Sequence, residues 1–87
     1  MPSQQHTIQN PTGLHARPAR YFAEVATTFS SAIRVHKGTK SVNGKSVLAM
    51  LTLGCKYRDV IRIDAEGTDA EAALEQLGRV IQQTFTE

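Results

Sequence analysis

One histidine stands where an imidazole could take up a phosphoryl group. His15 lies in the stretch Asn10-Pro11-Thr12-Gly13-Leu14-His15-Ala16-Arg17-Pro18-Ala19-Arg20. Asn10-Pro11 and Gly13 are turn residues. Ala19, Phe22, Ala23 and Ala26 then recur at the spacing of a helix that buries one face. Pro18 falls in the first turn of that helix, where its missing N–H is harmless and its fixed φ is suitable. His15 is therefore expected at or next to the N-cap. The unpaired first-turn N–H groups, Ala16 and Arg17 among them, favour an anion of phosphate size, and so does the helix dipole. Arg17 adds a forked guanidinium for the same oxygens. A neutral imidazole there is nucleophilic near neutral pH, with provision for the charge it would acquire. The stretch contains no carboxylate to direct water at the phosphorus. It suits holding and passing on the group better than hydrolysing it.

The remaining elements must position this stretch. Residues 3–9 alternate weakly, with His6 and Ile8 on one face, and predict a first strand. The helix runs from about Ala16 to Thr27 or Thr28; Phe29 closes its apolar face and Ser30-Ser31 ends it. Ala32–His36 alternates cleanly, Ile33 and Val35 to one side and Arg34 and His36 to the other, as a half-buried strand does. Lys37-Gly38-Thr39 is turn chemistry, so a short partner strand follows through Lys40, Ser41 and Val42, and Asn43-Gly44 breaks it. Ser46 can cap a short helix carrying Val47, Leu48, Met50 and Leu51, with Gly54 placed to end it. Asp59–Asp64 predicts another strand, Ile61 and Ile63 inward and Arg62 outward, ended by Gly67. Thr68-Asp69-Ala70-Glu71 reads as a capping box for a last helix burying Ala70, Ala73, Leu74, Leu77 and Ile81. The order β-α-β-β-α-β-α, one apolar face per element, implies a two-layer α+β domain.

Composition narrows the function classes. The 87 residues make a single domain, 1–87, and a hydrophobic content of 40% is that of a globular chain. The net charge of +2 comes from scattered basic residues rather than a run, which suits acidic protein partners and argues against nucleic acid. The single cysteine, Cys55, excludes an internal disulfide framework and a multi-cysteine zinc site. No apolar run approaches the ~18–20 residues of a membrane span, and the start lacks a basic-then-apolar leader, so a cytoplasmic location without a membrane anchor is expected.

Two stretches carry a family resemblance. Gly13-Leu14-His15-Ala16-Arg17-Pro18-Ala19 resembles the active-site signature of HPr, the histidine-containing phosphocarriers of the bacterial phosphoenolpyruvate:sugar phosphotransferase system. Val42-Asn43-Gly44-Lys45-Ser46-Val47-Leu48-Ala49-Met50-Leu51-Thr52-Leu53-Gly54 is similar to the regulatory-serine segment of the same family, at the family's spacing. The resemblance implies an open-faced β-sandwich, a four-stranded antiparallel sheet covered on one face by three helices. It implies that His15 is phosphorylated by Enzyme I and dephosphorylated by sugar-specific IIA domains. Arg17 would stabilise the phosphate, and Ser46 would be the target of an ATP-dependent HPr kinase/phosphorylase and part of docking to a carbon-catabolite regulator. Arg20, Val47, Leu48 and Leu51 would form the docking face. No cofactor, no metal and no turnover of its own are implied, and a monomer is expected.

Departures and rival readings bear on this. Family members commonly carry a small residue at position 20 and Lys or Arg at 24; here stand Arg20 and Glu24, which can pair at i, i+4. Arg58 occupies a position where many members have glycine. Gly44-Lys45-Ser46 is not a nucleotide-binding loop, because the glycine that pattern needs at 39 is Thr39. His6 and His36, on strands and without a second ligand at metal spacing, read as structural or surface residues, and Cys55 as a small buried or edge residue. Two other functions compete: a regulatory protein docking through the Ser46 face, which the presence of His15 opposes, and a small basic nucleic-acid binder, which the scattered charge and few aromatics oppose.

Overall fold

The computed structural model describes residues 2–8, 16–54, 56 and 58–84. Seven elements follow one another: β1 (Ser3–Thr7), α1 (Ala16–Thr27), β2 (Ala32–Lys37), β3 (Lys40–Asn43), α2 (Val47–Thr52), β4 (Val60–Glu66) and α3 (Ala70–Thr84). The strands form one antiparallel sheet in the order β1-β4-β2-β3. Ile33 and Val35 of β2 and Ile61, Ile63 and Ala65 of β4 are buried under the helices, while Arg34 and Arg62 face the opposite side. Ala19, Phe22, Ala23 and Ala26 of α1 and Ala70, Ala73, Leu74, Leu77 and Ile81 of α3 close the core, joined by Val80. This is the expected α+β open-faced sandwich. Among the described residues no helix is long and apolar enough to cross a membrane.

Element ends depart from expectation where tertiary partners decide them. β4 starts at Val60 and runs on to Glu66, because Ala32–His36 of β2 pairs along it from Glu66 to Arg62. Asp59 instead sits in the preceding turn, where its carboxylate accepts from the Lys56 N–H at 2.8 Å and faces the Lys37 ammonium at 3.1 Å. These partners, the Lys56 N–H foremost, hold the Asp59 carboxyl below the usual carboxylate range. Pairing between β1 and the turn continues through Ile8, whose N–H donates to the Asp59 carbonyl and whose carbonyl accepts from the Arg58 N–H, both at 2.8 Å. Arg58 has φ 73, the one left-handed non-glycine among the described residues. That conformation costs an L-residue about 1–2 kcal/mol. Cys55 lies outside the described residues.

The capping box does not form as expected. α3 begins at Ala70, so Asp69 rather than Thr68 occupies the N-cap, and the Asp69 carbonyl accepts from the Ala73 N–H at 2.9 Å. Its carboxylate turns instead to the α1–β2 junction. There it accepts from the backbone N–H groups of Ser30 and Ser31, each at 2.9 Å, and from both hydroxyls. A contact between residues some forty apart outcompetes the local cap because it satisfies four donors at once. Gly67 permits the approach: a Cβ there would stand 2.5 Å from Ser31 Oγ. These donors, the Ser31 hydroxyl first, lower the Asp69 pKa from 3.8 to about 2. The folded value lies below the unfolded one, so the stabilisation is complete above 3.8 and is lost as pH falls through about 2. Asp69→Asn is expected to lower the urea midpoint at neutral pH and to weaken the acid dependence of stability across that window. Superimposable pH–stability curves for the two proteins would refute this.

His6 and Gln4 lie on the inner face of β1, opposite Ile61 and Ile63. They pack beside Gly78 of α3, and burial pushes the His6 pKa down. On the open face, His36 Nε2 stands 2.8 Å from Asp64 Oδ2, an ion-pair distance without hydrogen-bond alignment. Both histidines are thus tied into the sheet, in keeping with a structural reading.

Candidate functional site: the α1–α2 face

His15 and the turn Asn10-Pro11-Thr12-Gly13 lie outside the described residues, and the geometry begins at Ala16. The helix that follows starts there as expected. Pro18 is buried in its first turn, so the ring that fixes φ also anchors the helix start to the core. Ala16 and Arg17 are its first two residues, whose N–H groups have no intrahelical acceptor. Arg17 is exposed. Arg20, one turn on, pairs with Glu24 through Nε at 3.1 Å rather than extending a bare cationic patch. With side chains 76% and 61% exposed, that pair is worth well under about 1 kcal/mol. Its consequence lies in the surface potential, where Glu24 offsets one positive charge.

Ser46 is the N-cap of α2. Its backbone is extended (φ −106, ψ 117), its Oγ accepts from the Ala49 N–H at 3.2 Å and its carbonyl from the Met50 N–H at 3.0 Å. Leu53 is the C-cap and Gly54 follows at φ 69, the left-handed glycine expected beyond a helix end. In so short a helix the apolar residues divide. Met50 and the C-cap Leu53 enter the core, Val47 is half-buried, and Leu48 and Leu51 are 74% and 37% exposed. α1 and α2 pack directly on each other. The exposed arginines of the first and the exposed leucines of the second are thus carried by neighbouring helices.

Two features of this surface had no counterpart in the sequence reading. Tyr21, 43% exposed, adds an aromatic ring to the outer side of α1. Lys45, adjacent to Ser46, donates from Nζ to the Phe29 carbonyl at 2.8 Å, tying the start of α2 to the end of α1. Its partner is sixteen residues away, beyond the reach of any local pattern. Among the described residues no cluster of His, Cys, Asp and Glu could hold a metal ion.

Known proteins place this geometry. The family described as "PTS HPr component phosphorylation site" matches residues 2–83. The phosphocarrier protein HPr of Lysinibacillus sphaericus is 38% identical over 81 residues, covering 93% of this chain and 92% of that protein. The multiphosphoryl transfer protein of Xanthomonas campestris pv. campestris is 43% identical over 75 residues, which are 86% of this chain and 9% of that much longer protein. Among solved structures, an HPr from Thermoanaerobacter tengcongensis superimposes with a TM-score of 0.93 at 42% identity, covering 100% of this chain and 98% of that one. With nearly the whole chain matched by sequence and by fold, it belongs to the HPr family of phosphocarrier proteins of the phosphoenolpyruvate:sugar phosphotransferase system.

Proposed function

We propose that the chain accepts a phosphoryl group on His15 from Enzyme I and passes it to sugar-specific IIA domains. The observation that carries this reading is the family match spanning 2–83, which includes the His15 stretch, joined to a helix that starts at Ala16 with an exposed Arg17. In the transfer, a bond forms between an imidazole nitrogen of His15 and phosphorus while the donor's bond to phosphorus breaks, the electron pair leaving with the donor. The N–H groups of Ala16 and Arg17 and the Arg17 guanidinium hold the phosphoryl oxygens. The stretch from Asn10 to Arg20 contains no carboxylate to direct water at the phosphorus, so the group stays on the carrier until a partner's nucleophile takes it. Arg20, Val47, Leu48 and Leu51 form the face on which Enzyme I and the IIA domains dock, Leu48 and Leu51 supplying apolar contact and Arg17 charge. The protein works as a cytoplasmic monomer.

The test is intact mass after incubation with phosphoenolpyruvate and Enzyme I. The chain should gain one acid-labile phosphate; no gain with an Enzyme I that phosphorylates another HPr would overturn the reading.

Ser46 is proposed as the regulatory site, phosphorylated by HPr kinase/phosphorylase and then recognised by a carbon-catabolite regulator. A phosphate at this N-cap sits favourably in the dipole of α2 and leaves the helix intact. It adds roughly −2 charge beside the docking face, which repels an acidic Enzyme I surface. Ser46→Asp is expected to slow phosphorylation of His15 several-fold with an unchanged thermal midpoint. Kinetics equal to wild type would sink the electrostatic mechanism.

A further inference from the structure

One ammonium ties separate parts of the fold together. Lys37 is the last residue of β2 and pairs with Lys40 at the start of β3. Its Nζ donates to the Gly54 carbonyl at 2.8 Å, just beyond the C-cap of α2. The same Nζ stands 3.1 Å from Asp59 Oδ2, in the turn before β4. That oxygen also accepts from the Lys56 N–H at 2.8 Å, and the Asp59 carbonyl accepts from the Ile8 N–H at 2.8 Å. The Lys37 and Asp59 side chains are 29% and 31% exposed, so solvent screens the pair only in part.

These contacts lie between the helix proposed for docking and the strand end that leads to His15. α2 carries Leu48 and Leu51 and packs on α1. In the sequence His15 falls between Ile8 and Ala16, the first residue of α1. One end of that stretch is referred to α2 through the packing of α1, whose first turn is anchored by buried Pro18. The other end is referred to α2 through Ile8, Asp59, Lys37 and Gly54 in turn. Ile8 is fully buried, and a close-packed interior transmits a displacement rather than absorbing it. Ion pairs near a surface contribute little to stability. One ammonium between two acceptors, and one carboxylate oxygen between two donors, instead fix a distance.

We propose that Lys37 and Asp59 are positioning residues for phosphoryl transfer: the pair holds the turn that anchors Ile8 against the end of α2, and so sets where the acceptor histidine stands relative to the docking helix. This rests on the carrier reading of His15. Both residues act through Ile8 rather than on the phosphoryl group. Transfer between two proteins requires the imidazole nitrogen at near-attack distance from phosphorus once the partner has docked. A misplacement of about 1 Å there can lower the rate by up to about 100-fold without weakening binding.

The experiment measures kcat and the KM for this chain in phosphorylation by Enzyme I and phosphoenolpyruvate, well below the thermal midpoint of each variant. Lys37→Met keeps the length of the side chain and removes the ammonium; its kcat should fall about 3–10-fold while its KM stays within about twofold of wild type. Asp59→Asn keeps an acceptor for the Lys56 N–H and loses the charge facing Lys37, so its kcat should fall about 2–5-fold. Lys37→Arg, which retains donors and charge, should stay within about twofold of wild type. The double variant Lys37→Met/Asp59→Asn should be no slower than Lys37→Met, because both changes break the same brace. Asp69→Asn, which loosens the fold elsewhere, should keep the wild-type kcat. A wild-type kcat for Lys37→Met overturns the proposal, and so does a rise in KM alone, which would place Lys37 against the partner. Equal falls in kcat for Lys37→Met and Asp69→Asn also overturn it, since lost stability would then be the cause. If Lys37→Met does not fold, a wild-type kcat for Asp59→Asn overturns the proposal by itself. If wild type takes up no phosphate from an Enzyme I that phosphorylates another HPr, the carrier reading fails first, a result distinct from failure of the brace alone.

Discussion

His15→Ala is expected to leave no acid-labile phosphate on the chain after incubation with phosphoenolpyruvate and Enzyme I, under conditions that modify wild type completely. The expectation is a loss to background rather than a reduction, because the other two histidines cannot stand in. The sequence holds three. His6 is half-buried on the inner face of β1, with Nε2 3.2 Å from Gln4 Oε1. His36 Nε2 faces Asp64 Oδ2 at 2.8 Å, so an incoming phosphoryl group would meet a carboxylate. Neither follows a turn into a helix start with an arginine two residues on. His6→Ala and His36→Ala should accordingly retain full phosphate uptake. Residual acid-labile phosphate on His15→Ala, or its loss from either of the other variants, would move the acceptor elsewhere.

Phe22→Ala is expected to have the largest effect on stability, about 3–5 kcal/mol. The ring is completely buried on the core face of α1. A Cβ on Gly44 would stand 3.2 Å from its Cε1 and 2.7 Å from Ile33 Cγ2, so the ring packs against bare backbone where β3 leads to α2. Sheet on one side and helix on the other hold the site open, and the space left by an alanine cannot collapse. For a domain of this size the loss corresponds to a thermal midpoint lower by about 15–30 °C, a large part of total stability. The readout is thermal unfolding followed by circular dichroism. A fall of less than about 5 °C would mean that the core relaxes into the space and that the packing described is not specific.

The electrostatic and packing expectations separate cleanly in these experiments. Ser46→Asp changes the rate with little loss of stability, while Phe22→Ala and Asp69→Asn change stability without touching the proposed chemistry. If Phe22→Ala slowed phosphoryl transfer at a temperature where it remained folded, the α1–α2 surface would be more sensitive to core packing than its separate exposure suggests.

Much of this protein could be read from the order of its residues. Helical recurrence from Ala19 to Ala26 and alternation about Ile33 and Ile61 located α1, β2 and β4, since burying one face imposes a period on the chain wherever a single layer covers it. Ser46 and Gly54 bracketed α2 because caps are local devices, satisfied within one turn. The His15 stretch pointed to phosphoryl transfer because turn, imidazole, arginine and helix start are adjacent in the chain. Only the tertiary structure decided which partner each side chain took. Asp69 left its own helix for Ser30 and Ser31, and Lys45 reached back to Phe29. Met50, not Leu48, entered the core. β4 grew to Glu66 because β2 lies along it, and Arg58 was held left-handed where the turn meets Ile8. Local pattern fixes which face of an element is apolar, but long-range contacts compete for the same donors, acceptors and space, and that competition is settled only when the layers meet.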